Sequence, residues 1–304
     1  MATPVLMSMN MKGGVGKTVL SVSLGFEIAG TYDKDVLLID YDPQSNASYA
    51  LLGPETYFDL LKKGKSLTSA LMPELKPDDP FSVVNAIKEL APDASLYATK
   101  LRTWHYSSDP NKKAGSLSII PASLDLMRLA LNRLPDELEN LLIRRWNALI
   151  DSAKNKYECI IIDCHPAGSF FTKSTILASD VVMVPVTTDG YAAIGLGMMR
   201  NFIIDWQAAG GAKEFIVIFN NPTNYWDDKI ETEIRTNPRF DQRCLTASLS
   251  YSRLFRNIAI KHQLVNEQPV SRRRGVSAQV HGVTKELIDL LINKGVIDKT
   301  WLKK

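Results

Sequence analysis

Cysteine is scarce in this chain of 304 residues: Cys159, Cys164 and Cys244 are its only three. They form no even framework and no C-x-x-C pair, which excludes a disulfide-stapled scaffold and a zinc ribbon and suits a reduced compartment. Long hydrophobic runs are also missing. No uncharged stretch approaches the roughly 20 residues that a membrane-spanning helix needs. The opening MATPVLMSMNMKGG is apolar only over the length of a strand and has no small-residue cleavage site, so no secretion signal is read. These absences predict a cytoplasmic protein. Neither charge sign dominates, with 36 Lys and Arg against 33 Asp and Glu and a net charge of +3. Internal repeats, low-complexity tracts and Gly/Ser linkers are absent as well, which argues against an array or two tethered halves.

Apolar residues make up 45% of the chain, enough for a substantial core, and this excludes disorder as the default state. Short β-branched or aliphatic runs recur at Val5–Met9, Val36–Ile39, Leu117–Ile120, Cys159–Ile162, Val181–Val186 and Phe215–Phe219. Almost wholly apolar runs of this length suit strands buried on both faces, as in a parallel sheet. Helical patterns separate them at 18–30, 124–134, 136–154, 191–208 and 277–293. The clearest is 136–154, where Leu138, Leu141, Leu142, Trp146, Leu149, Ile150 and Ala153 form one stripe and Asp136, Glu137 and Glu139 suit the positive end of the helix dipole. This alternation predicts an α/β fold, a doubly wound and mainly parallel sheet with helices on both faces, built as a single domain over 1–304. Residues 74–115 break the rhythm with Pro77, Pro80, Pro92, Pro110 and a polar SSDPNKKAGS stretch, and are read as an insertion carrying one helix at Phe81–Leu90. A basic, helical region is expected over 245–304.

Ligands of such sheets bind at the carboxyl ends of the strands, and the motifs fall there. Met11-Lys12-Gly13-Gly14-Val15-Gly16-Lys17-Thr18 follows one strand and opens a helix. Glycines let consecutive N–H groups turn inward around an anion, and the helix adds its positive end. Lys17 brings a full charge to the β and γ phosphates, and the Thr18 hydroxyl suits Mg²⁺. The general G-x-x-x-x-G-K-[ST] pattern is not met, because Met11 stands where its first glycine belongs. An additional lysine, Lys12, precedes a double glycine instead.

These residues resemble the deviant Walker A motif of the ParA/MinD family of P-loop ATPases, closest in character to its ParA/Soj-type partition members. Asp40-Tyr41-Asp42-Pro43-Gln44-Ser45-Asn46 resembles that family's D-x-D-P-Q-x-N segment, and Cys159–Asp163 its Walker B strand. The resemblance spans most of residues 1–220. It implies a Mg²⁺-dependent ATPase of weak intrinsic turnover, with Lys12, Gly13, Gly14, Val15, Gly16, Lys17, Thr18 and Val19 around the nucleotide. Lys12, Lys17 and Asp42 would be catalytic, Lys12 by contacting the nucleotide of the opposite subunit in an ATP-bound homodimer and Asp42 by orienting the attacking water. Thr18, Asp42 and, through water, Asp163 would serve the metal, with Asp40 supporting its shell. Asn220, after the strand Phe215–Phe219, stands where this fold commonly addresses the base. His165, where the family has a proline or small residue, is expected in a solvent-facing loop.

The output of such a switch is a separate question. Arg253, Arg256, Lys261, Arg272, Arg273 and Arg274 form a basic cluster broken only by Glu267, which suits non-specific duplex DNA, as in partition ATPases stimulated by a ParB-like adaptor. The alternative is a MinD-like, ATP-gated membrane-surface or regulatory switch. Its sequence support is weak, because Gly295 and Asp298 interrupt the apolar tail and the tail is expected simply to trail. An iron–sulfur role lacks a second suitably placed thiol. A small-molecule P-loop enzyme lacks a visible acceptor-binding constellation.

Overall fold

The computed structural model describes residues 3–74, 90–104, 114–131, 134–165, 170–208, 210–212, 214–221, 226–255 and 270–302. Among them, seven strands form one sheet: β1 (Val5–Ser8), β2 (Asp35–Tyr41), β3 (Thr99–Trp104), β4 (Gly115–Ile120), β5 (Cys159–Cys164), β6 (Val181–Val186) and β7 (Glu214–Phe219). Their order is β3-β4-β2-β5-β1-β6-β7, parallel throughout except for the antiparallel edge strand β3. The doubly wound α/β expectation holds. Each of the six anticipated runs is a strand, shifted by up to two residues at its ends.

Strand alternation sorts the side chains into two layers. Leu37, Ile39, Tyr41, Ile160, Ile162 and Cys164 face one core, while Val36, Leu38, Cys159 and Ile161 face the other. Helices α3 (Leu67–Leu71), α6 (Asp136–Lys154), α7 (Phe170–Ala178) and α8 (Ala192–Ala208) supply apolar residues to the first layer. On the second lie α1 (Lys17–Thr31) and the carboxyl-terminal α10 (Val270–Asn293). The stripe read on α6 is buried at Leu142, Trp146, Leu149, Ile150 and Ala153, and Trp146 stacks on Tyr41 with ring centroids 4.5 Å apart.

Several elements differ from the sequence expectation. Helix α2 (Asn46–Lys62) was not anticipated, because Gly53 (φ 70°) and Pro54 interrupt its pattern and kink it. Helices α7 and α9 (Asp228–Thr236) were likewise not anticipated. The segment 124–134 is a short 3₁₀ turn at Leu124–Leu126 followed by α5 (Met127–Leu131). Within the segment read as an insertion, β3 extends the sheet at its edge and the short helix α4 (Ala94–Tyr97) precedes it, whereas the helix expected at Phe81–Leu90 lies outside the described residues except for Leu90. Helix α10 begins at Val270 and so carries positions 272–274 on a helix. The tail does not trail: Trp301 is 3% exposed and its indole N–H donates to the Glu158 carbonyl at 3.0 Å. No helix among the described residues is long and apolar enough to cross a membrane.

Candidate nucleotide-binding site

Parallel pairing aligns the carboxyl ends of three central strands, with Ser8 and Asp40 both in register with Asp163. The loop after β1 therefore opens directly beside two acidic strand ends. Gly14 (φ 75°) and Gly16 (φ 82°) take left-handed backbone angles, and Gly16 is the residue before the first turn of α1. That turn has no side-chain cap and no acid, so its free N–H groups and dipole remain available to an anion.

Lys17 is 9% exposed, and its Nζ donates to the carbonyls of Asn10 (3.3 Å) and Lys12 (3.4 Å). Burial lowers its pKa, opposed by the charges of Asp163 and Asp42. Asp163 is buried; one oxygen accepts from the Ser21 hydroxyl at 3.2 Å and the other, Oδ2, has no hydrogen-bond partner. Desolvation raises the pKa of both Asp40 and Asp163, and the proximity of other carboxylates adds to it. Such a pair calls for positive charge. An unpartnered buried carboxylate oxygen close to Lys17 and Thr18 fits a magnesium ion with its water shell, of the kind held mainly by phosphates and one or two protein oxygens. No cluster of three metal-ligating side chains exists among the described residues, as such an ion requires none.

A cavity of about 460 Å³ joins these parts. Gly13, Gly14, Gly16, Lys17, Thr18, Val19 and Asp42 line it, with Gln44, Asn46, Tyr49, Ala50 and Phe255. Asp42 is fixed by its own turn, accepting from the Gln44 N–H at 2.9 Å. Asp40 does not face the cavity. It accepts from the Ser48 N–H (2.8 Å) and hydroxyl (2.6 Å), which fastens the start of α2 to β2, and from the Asp42 N–H at 3.2 Å.

Three further residues named from the sequence have these places. The Asn220 amide donates to the carbonyls of Val15 (2.8 Å) and Gly16 (3.2 Å), bracing the phosphate loop. His165 is half-buried, its ring 6.0 Å from Phe171, and so is not a solvent-facing loop residue. Lys12 does not line the cavity but pairs with Asp189 and approaches the Thr187 hydroxyl at 3.5 Å. Tyr49, Phe255 and Asp189 carried no signal in the sequence, because nothing local separates them from ordinary helix and turn residues. Of the basic cluster, Arg253 and Arg274 are exposed. Arg256 and Lys261 lie outside the described residues, as do the side chains of Arg272 and Arg273.

A glycine loop between strand and helix, a buried lysine at its end and an acidic strand end beside it define a P-loop nucleotide-binding protein. A family model described as an AAA domain matches residues 3–210, and the chain belongs to that family, among the ParA/MinD P-loop ATPases. The sporulation initiation inhibitor protein Soj of Bacillus subtilis is 31% identical over 194 residues, 64% of this chain and 62% of the relative. The chromosome partitioning protein ParA of Myxococcus xanthus is 29% identical, covering 64% of this chain and 56% of its own length. The alignments thus span about three fifths of these relatives. A virulence plasmid ParA family protein of Chlamydia muridarum matches at 24% identity over 94% of this chain and 92% of its own. Among solved structures, a putative plasmid partition protein of Borrelia burgdorferi bound to AMPPNP shares the fold with TM-score 0.67 and 17% identity, covering 95% of this chain and 99% of its own.

Proposed function

We propose that this chain is an ATP-driven switch: with Mg²⁺ and ATP it forms a two-fold dimer, binds duplex DNA without sequence specificity, and resets by hydrolysis in the service of DNA partition or cargo positioning. The observation that carries the reading is the division of labour between two lysines five residues apart in the loop. Lys17 is buried against the cavity, whereas Lys12 is outside it. A second cation not needed by its own phosphates is available to the phosphates of a neighbouring copy. The names of the relatives, partition and plasmid proteins among them, support the same reading.

In this scheme Lys17 and the α1 amino terminus hold the β and γ phosphates, and Asp42 holds the attacking water in line. Thr18, Asp42 and Asp163 would hold the Mg²⁺, which supplies charge neutralisation to the phosphates when bound. Weak intrinsic turnover and stimulation by a ParB-like adaptor belong to the proposal, as does a cytoplasmic, nucleoid-associated location. The exposed Arg253 and Arg274 offer charge for DNA. A membrane-surface role loses its best anchor, since Trp301 is buried against Glu158 and Lys34.

The test is Lys12→Ala. Monomer affinity for ATP, measured by calorimetry, should stay within about threefold of wild type. Dimerisation with a non-hydrolysable analogue, followed by sedimentation, should disappear. Normal dimerisation of that variant would refute the trans-acting lysine.

A further inference from the structure

Asp42 lines the nucleotide cavity, yet its position is set by residues that do not. Its backbone N–H donates to Asp40 Oδ1 at 3.2 Å, and its carbonyl accepts from the Ser45 N–H at 2.8 Å. Ser45 has φ 55°, a left-handed conformation that disfavours a residue with a side chain. Such strain persists only where the surroundings over-determine it, and here the Tyr57 hydroxyl donates to the Ser45 hydroxyl at 3.0 Å.

Ser48 governs the other end of this arrangement. Both Ser48 and Asp40 are 0% exposed. The Ser48 N–H and hydroxyl donate to the same oxygen, Asp40 Oδ2, at 2.8 and 2.6 Å. The residue before α2, Ser45, gives that helix no side-chain cap, so the Asp40 carboxylate serves its first turn in place of one.

The direction of the Ser48 hydroxyl is fixed as well. Its oxygen accepts from the Ala122 N–H at 3.0 Å, which leaves its single proton for Asp40. The donor is itself held in place, because the neighbouring Pro121 carbonyl accepts from the Leu67 N–H at 2.8 Å. Alanine at position 48 would strip the Ala122 N–H of its acceptor and leave Asp40 Oδ2 with one donor.

A carboxylate is planar and rigid, so two donors on one oxygen aim the other. We infer that Ser48 is a positioning residue for hydrolysis: its hydroxyl orients the Asp40 carboxylate, which in turn holds Asp42 where it meets the attacking water. The inference rests on the role proposed above for Asp42. It separates catalysis from binding. Misplacing a reacting group by about 1 Å can slow a reaction by up to about a hundredfold. ATP affinity, by contrast, depends on groups in the cavity, and neither Ser48 nor Asp40 lines it.

The test is single-turnover hydrolysis of Mg²⁺-ATP by the full chain, with ATP affinity and melting temperature measured alongside. Ser48→Ala should lower the rate about tenfold while ATP affinity stays within about twofold. Ser48→Thr keeps the hydroxyl and should return the rate to within about threefold of wild type. Asp40→Asn should match Ser48→Ala, and the double variant should be at most about twofold slower than either, as expected of residues that act as one unit. A Ser48→Ala protein that hydrolyses at the wild-type rate would overturn the inference. So would a threonine variant as slow as the alanine one, or losses that multiply in the double variant. Rate, affinity and melting temperature falling together would also overturn it, by making Ser48 a support of the fold alone. A wild-type protein that binds ATP and never hydrolyses it would instead refute the reading on which the inference rests.

Discussion

Asn220 is bound more tightly to the phosphate loop than its place in the sequence suggests. Both its amide bonds go to loop carbonyls, and a Cβ at Gly16 would come within 2.1 Å of that amide nitrogen. Gly16 is thus required twice, by its left-handed φ and by the asparagine packed against it. Removing the amide takes a donor from the buried Val15 carbonyl, while Gly16 keeps the Leu20 N–H at 3.0 Å, a loss of about 1–3 kcal/mol in an otherwise rigid loop. Asn220→Ala should therefore weaken binding of ATP and of inorganic tripolyphosphate by similar factors, about tenfold each, in competition calorimetry. A residue that reads the base would affect ATP alone, so an unchanged tripolyphosphate affinity would reject the brace. Legibility at this scale follows locality. Gly13 to Thr18 can be recognised because their chemistry is consecutive, and Asp42 and Asp163 because each ends an apolar strand. The real partner of Asn220 is 204 residues away, and no local pattern reports such a contact.

At the scale of elements, periodicity was informative about faces but silent about charge within them. Helix α6 buries positions 142, 145, 146, 149, 150 and 153, the spacing expected of one stripe, yet position 145 is an arginine with no exposed surface. Its guanidinium donates to both carboxylate oxygens of Glu74 at 2.7 and 3.0 Å and to the Leu71 carbonyl at 2.7 Å, so it holds the segment after α3 against α6. A buried pair of this kind specifies an arrangement more than it stabilises, and breaking it strands a charge. Glu74→Ala should cost about 3 kcal/mol in urea unfolding. The double variant Arg145→Met with Glu74→Leu should recover most of that loss, and failure to recover would mean that packing, not charge, dominates the contact. Other elements were hidden for identifiable reasons. Strand β2 runs on through Asp40 and Tyr41 because Ser48 satisfies the aspartate, and a buried acid looks like a strand end in sequence. Strand β3, T-K-L-R-T-W, lies at the sheet edge and pairs on one side only, so it needs no continuous apolar run.

Across the whole molecule, the phosphate loop and the basic residues are joined through one packed layer. Helix α10 lies against α1, with Val280, Val283 and Leu287 in the same core as Leu20, Leu24 and Ile28, and His281 meets Glu27 at 2.8 Å. The helix that begins at the phosphates therefore carries the helix that displays Arg274. Nucleotide-driven dimerisation would set two such ends in a fixed relation, which doubles the number of DNA phosphates one particle neutralises. Each neutralised phosphate contributes about −0.9 to the slope of log affinity against log salt on duplex DNA. The slope measured by fluorescence anisotropy on an arbitrary duplex should accordingly be about twice as steep with a non-hydrolysable ATP analogue as with ADP. Arg274→Ala should then make the analogue-bound slope shallower by about 2, one phosphate from each subunit, and weaken binding equally on unrelated sequences. If the slope stays at its wild-type value while affinity falls, Arg274 shapes the helix and does not touch DNA, and the cation contacts must come from elsewhere on the dimer.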